Sequence, residues 1–351
     1  MPSRRSFIAG MLAAGIAPKP TWADAGNPAF LSAGMKPDGS YVLCGLSADA
    51  QITFERPLPA RGHAAAAHPN LADAVAFARR PGTYAIVLDC VTGQQKARLT
   101  APHDRHFFGH GTFSADGDLL FTTENDFEAA RGVVGIWDAR HNYARIGEFS
   151  SGGIGPHDIK LMPDGTSLVV ANGGIETHPE TGRTKLNIPT MQSNLSYLSF
   201  DGKRLGQMQL DRAHQKNSIR HLAVSAQGDV AFAMQWQGDL TADLPLLGTH
   251  HLKTEKIAFA EQASIRNMNG YLGSVAVSRN GNHIATTSPR AGILQNFKGT
   301  ELFDQTVITD ACGVASSKTD FIVTSGTGVV QSRSGLSVLH DVAWDNHLIA
   351  I

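Results

Sequence analysis

The chain has 351 residues, a formal net charge of -1, 17% charged and 42% apolar residues. Near-zero charge excludes the basic stripe that nucleic-acid binding needs, so no nucleic-acid partner is expected. The modest charge and high apolar content exclude a disordered chain, and the length leaves room for several repeats closed into one domain.

The N-terminus reads as a targeting segment. Ser3-Arg4-Arg5-Ser6-Phe7-Ile8 is followed by a short apolar run from Ile8 to Ala17, and Ala23-Asp24-Ala25 offers small residues for cleavage. This order predicts a twin-arginine signal peptide over residues 1–25, with residues 26–351 exported to the periplasm. No later stretch approaches the roughly 18 apolar residues of a membrane helix, so the mature protein is expected to have no membrane span. Cys44, Cys90 and Cys312 make an odd count, which argues against a disulfide framework in an oxidising compartment. Cys44 and Cys90 lie in strand-like runs and read as small buried hydrophobes.

Three strand-like runs lie between Ala29 and Pro59. Turn signals recur all along the chain. Pro37-Asp38-Gly39, Ala115-Asp116-Gly117, Pro163-Asp164-Gly165, Ala226-Gln227-Gly228 and Arg279-Asn280-Gly281 each separate two short alternating runs. Such dipeptides between alternating segments are hairpin signals. The run from Leu71 to Arg80 is ambiguous by periodicity, and its place in the repeat makes it a strand.

The repeat shows most plainly between Phe107 and Gly174, where His110 and His157 stand 47 residues apart, each before a strand, a turn and a second strand. Gly62-His63, Gly109-His110, Pro156-His157 and Arg220-His221 open four units. Gly273-Ser274 and Cys312-Gly313 open two more, with Ser and Gly in the His place. Asn346-His347 opens a seventh that the chain end at Ile351 cuts short. Repeats of this length with four strands each predict an all-β, seven-bladed β-propeller. The strand after Asn346 would join the three N-terminal strands, closing the ring and protecting its edges.

In a propeller the innermost strands line the central channel. The alignment therefore brings His63, His110, His157, His221 and His347 together at one channel mouth. One histidine is usually a satisfied polar residue. Five in equivalent positions favour a metal site over an anion site or a structural polar ring, because neutral imidazole is a common ligand for copper, iron and zinc. Arg61, Arg105, His106 and Arg220 flank the histidines, and the loops after each second strand carry Glu124 and Asn172 towards the same face. Glu124 is expected as a ligand or a partner to one, Asn172 as a rim residue, and the Cys312 thiol as a group near the rim. The stretch from Ile175 to Leu195, with His178 and Arg183, is longer than its counterparts and reads as a lid.

These features give a resemblance. Leu58 to His63, Arg105 to His110, Gly155-Pro156-His157, Val170 to Gly174, Ser218 to Leu222 and Trp344 to His347 are specific matches. On them the chain resembles, nearly end to end, a bacterial family of twin-arginine-exported proteins of unknown function found with imelysin-type, iron-regulated periplasmic proteins. The resemblance implies periplasmic metal handling, with copper or iron the leading metals and zinc a third, and periplasmic metal-handling proteins as partners. Nitrous oxide reductase offers a looser analogy, a His-ligated copper at the mouth of a seven-bladed propeller. The expectation is a transition-metal propeller acting in metal handling or redox. Its rivals are a metal-dependent, lactonase-like hydrolase with Glu124 as base, and a non-catalytic docking scaffold.

Overall fold

The Asp-Gly and related turns behave as their chemistry dictates. Asp38 Oδ1 accepts the Ser40 N–H at 2.8 Å, Asp116 Oδ1 that of Asp118 at 2.9 Å and Asp164 Oδ1 that of Thr166 at 2.8 Å. The glycine after each acid, and those at 228 and 281, has positive φ, from +69° to +93°. A side chain is strained there, which is why glycine recurs at the turn.

The structure is a computed structural model and describes residues 19–79, 83–317 and 320–351. Among the described residues, 28 strands form seven four-stranded antiparallel sheets arranged as a seven-bladed propeller. Six blades follow in chain order: residues 62–99, 105–150, 156–209, 217–259, 274–307 and 311–339. The seventh, closing blade joins the last strand, Ala343–Ala350, to Phe30–Met35, Tyr41–Leu46 and Ile52–Leu58. Phe30 pairs with Ala350 and Leu31 with Ile349, so the ring is sealed by pairing between the two ends of the propeller. The ambiguous run supplies a fully buried strand, Asp73–Ala78. Arg80, Pro81 and Gly82 lie outside the described residues.

The core sits between adjacent blades. Tyr197, Phe232 and Phe297 are fully buried in a cluster spanning blades three to five. Phe77, Phe107 and Trp137 share a cluster between blades one and two. Each such side chain contributes about 1.5–3 kcal/mol by leaving water. The three cysteines are free and buried.

Of the expected signal segment, residues 1–18 lie outside the described residues. The remainder packs on blade one: the Trp22 indole donates to His68 O at 2.8 Å, and Pro20 O accepts the Ala72 N–H at 3.0 Å. The expected cleavage point after Ala25 thus falls at the end of a packed turn. Among the described residues no helix is long and apolar enough to cross a membrane.

Candidate metal centre

The inner strands are extended, so their side chains would ordinarily alternate between the two faces of the blade. At each histidine the ladder slips instead. Register shifts fall between Gly62 and Ala65, Phe107 and Gly111, Pro156 and Asp158, and Ile219 and His221. In the closing blade the slip takes in Asp345, Asn346 and His347. A bulge bends the strand and re-aims one side chain, here into the channel. Gly109 has φ +99°, and a Cβ there would stand 2.5 Å from His63 Cδ2, so glycine lets the His63 ring lie against its backbone.

The five predicted histidines meet. Ring centroids of His63 and His347 are 4.5 Å apart, His110 and His347 4.6 Å, His110 and His157 4.9 Å, and His157 and His221 4.9 Å. His110, His221 and His347 are buried, and His63 and His157 partly so. His157 Nδ1 donates to Arg220 O at 3.0 Å, which fixes its tautomer because a carbonyl only accepts. His110 Nδ1 stands 3.1 Å from the Asp158 carboxylate. This leaves Nε2 of His110 turned into the cluster.

Five buried ring nitrogens have no hydrogen-bond partner: His63 Nδ1, His110 Nε2, both nitrogens of His221, and His347 Nε2. Each unmet buried polar group costs about 1–3 kcal/mol, so the cluster is a poor device for stability. A metal ion would satisfy these atoms. His63, His110 and His347 offer ligand nitrogens within 4.8 Å of one another, as do His110, His157 and His221. Nitrogens around a tetrahedral ion at about 2.0–2.1 Å sit about 3.3 Å apart, so modest ring rotations would close either set. With Nδ1 facing Asp158, His110 has a single free nitrogen and can serve only one ion.

Electrostatics keep four of the imidazoles neutral. Burial, followed by neighbouring positive charge, holds His63, His157 and His347 well below the usual imidazole range and lowers His221 to about 3. Asp158 shows the opposite balance. Burial alone would raise it, but Lys160 at 3.1 Å and His110 outweigh burial and hold it far below the usual carboxylate range. Its oxygens also accept the N–H groups of Ile159 and Leu222. Asp158 thus anchors His110 as the carboxylate of a carboxylate–histidine–metal arrangement does. The acid directly after the blade-three histidine was its sequence signal, and the expected set omits it.

Most of the expected flanking residues lie elsewhere. Glu124 is fully buried inside blade two, where Arg145 grips both its oxygens at 2.7 and 2.9 Å and the Thr122 hydroxyl donates at 2.7 Å. It is no base or ligand for the cluster. Arg105 pairs with Asp104, Asp126 and Glu148. The His106 ring stacks on Phe127, and Asn172 is consumed by Ser151, Asn194 and Ser196. The Cys312 thiol faces Asp310, and burial raises it, so it stays protonated. Arg61 bonds Asp345 at 2.7 Å, tying blade one to the closing blade. His178 packs its ring on Phe127 rather than over the cluster. Of the flanking set only Arg220 opens onto a cavity beside the histidines.

The cluster stands between two cavities. One, of about 380 Å³, is walled by small residues of the inner strands together with Asp158, Lys160 and His347. The other, of about 230 Å³, is faced by His63 and His157 and roofed by Ile175, Thr177, Arg183 and Lys185 of the long loop. His221 borders both, so the imidazoles form a septum across the channel.

A propeller whose channel is crossed by buried imidazoles with unsatisfied nitrogens carries groups that could hold a metal ion. The chain itself belongs to a family of proteins of unknown function, DUF1513, which it matches over residues 56–351. No curated protein matches it. Among solved structures it is similar to a chain of Kuenenia stuttgartiensis hydrazine synthase, with a TM-score of 0.66 and 12% identity over 89% of this chain and 96% of that one. At that identity the likeness shows the fold alone.

Proposed function

We propose that the protein is a periplasmic, twin-arginine-exported propeller that binds one transition-metal ion through His110 and its neighbouring channel histidines, and serves metal handling or redox chemistry. The observation that carries this reading is the set of five buried ring nitrogens without partners, converging from separate blades. Nitrogen donors of this kind suit copper, iron or zinc, with copper or iron as the metals proposed. One ion per chain follows from the single free nitrogen of His110, which both ligand sets share. The hydrolase reading loses its base, since Glu124 is held by Arg145.

Elemental analysis of protein purified from the periplasm is the direct test. The expected result is close to one equivalent of copper or iron, absent from the His110→Ala/His157→Ala double variant. That variant also loses the contacts of His110 with Asp158 and of His157 with Arg220 O, so it should melt somewhat lower than the parent but still in one cooperative transition. Native protein free of metal, or a double variant that retains it, would overturn the reading.

A further inference from the structure

The smaller cavity has a character that metal binding does not require. Arg79, Arg183, Lys185 and Arg220 all line it. No Asp or Glu lines it among the described residues. One neighbouring carboxylate, Asp345, meets Arg79 at 2.8 Å but also serves Arg61. Arg290 stands close by, over the Tyr271 ring at 4.4 Å. Counted as charges, these cations outnumber the one neighbouring carboxylate among the described residues. Desolvation and then Arg220 and Arg290 pull the Lys185 ammonium below its usual range. A cationic funnel directly above a metal cluster would repel the metal ion. An anion in the funnel removes that conflict.

We propose that this funnel is a binding site for a small organic polycarboxylate, seated over the histidine septum and within reach of a metal ion held there. The part that concerns the metal rests on the reading above; the anion site itself does not. Guanidinium groups recognise carboxylates through paired N–H donors, and three arginines with a lysine match more than one carboxylate. The cavity, of about 230 Å³, is of a size that suits a compact organic anion. Phe108, Ile175 and Tyr271 give the wall apolar patches, which suit a carbon skeleton better than an inorganic oxyanion. The long loop supplies half of the cations, so it acts as a reader of the anion as well as a cover. It is held in place for this: Asn125 Nδ2 donates to Thr177 O at 3.0 Å, and Asn187 bridges Glu176 N and Gly174 O.

Calorimetric titration of the full mature chain with citrate, metal-free and after loading with copper, tests this. Citrate should bind the metal-free protein, more weakly as salt rises. Arg183→Ala with Lys185→Ala should weaken it about tenfold or more. Both residues are on an exposed loop segment, so folding should persist, and Lys185→Glu alone gives a second variant of opposite charge. Metal content should not change in either. Citrate binding with no metal bound at the histidines would sink the metal reading and leave the funnel standing. Citrate binding only to loaded protein, unaffected by the loop variants, would overturn the funnel. Inorganic phosphate binding as tightly as citrate would overturn its assignment to organic acids.

Discussion

Every blade that presents a histidine has a slipped inner strand, and the two that present none depart from this pattern in different ways. In blade five, Ser274 pairs in regular register with Thr287, and its hydroxyl accepts the Val314 N–H of the next blade at 3.2 Å. Blade six does slip, between Ala311 and Val314, yet its residue at the equivalent place is Gly313. A Cβ there would lie 2.6 Å from Leu348 N and 2.8 Å from the His347 carbonyl carbon. A bulge is thus needed to aim a side chain into the septum, but space must also be free. The closing strand takes that space in blade six while delivering a histidine of its own.

The largest expected effect is to break this dual role. Removing residues 346–351 deletes His347 and most of the pairing that seals the ring to Phe30–Met35. The edge of the Phe30–Met35 strand would then be open to other chains. Insoluble protein, or loss of a single cooperative unfolding transition, is expected by calorimetry. A truncated protein that melts like the parent would mean the ring closes elsewhere.

Acid is the next lever, and it acts only on the histidine side of the ring. His63, His157, His221 and His347 stay neutral in the folded protein well below pH 6.5, whereas in the unfolded chain they take protons near that value. The unfolded state therefore binds more protons, and stability that is full above pH 6.5 falls as pH drops below it. At pH 5.5 the loss is about 1.4 kcal/mol for each such group. Asp158 adds a separate loss below its unfolded value near 3.9, again on acidification. Metal-free protein should lose melting temperature steadily from pH 7 to 5, and the His157→Ala/His221→Ala variant should lose less. A flat profile in the parent would contradict neutral burial of the imidazoles. Bound metal should likewise survive below the ordinary imidazole range, since there are few protons to displace.

The repeat was legible because it is written in local chemistry. A histidine, an alternating strand and a turn glycine recur within one unit, and the phase of Asn346-His347 alone implies closure by the last strand. What stayed hidden depends on partners from other strands. Glu124 looks like a rim acid until Arg145, 21 residues on, is seen to grip it. Asp158 was visible beside His157 but had no assigned role until His110 arrived from the neighbouring blade. Lys185 is one polar residue in a long loop, and only the fold sets it beside Arg79 and Arg220. The bulges left little residue signature beyond a strand glycine such as Gly109.

The finest test of the comparison is Gly313→Ala. In isolation this change should stabilise slightly, by about 0.4–1 kcal/mol, because alanine has less freedom to lose from the unfolded chain. Against it stands the contact with the backbone of His347 and Leu348, atoms that no side-chain rotation can move aside. Overpacking of this kind costs about 1–3 kcal/mol, so the net effect should be destabilising. The strand must shift to relieve it, and His347 shifts with it. Metal affinity should then fall along with melting temperature. Ser274→Ala, which removes one hydroxyl acceptor from a regular strand, should cost about 1 kcal/mol and leave metal affinity alone. Equal losses of metal affinity in the two variants would show that the plain side of the ring holds the septum as closely as the bulged side does.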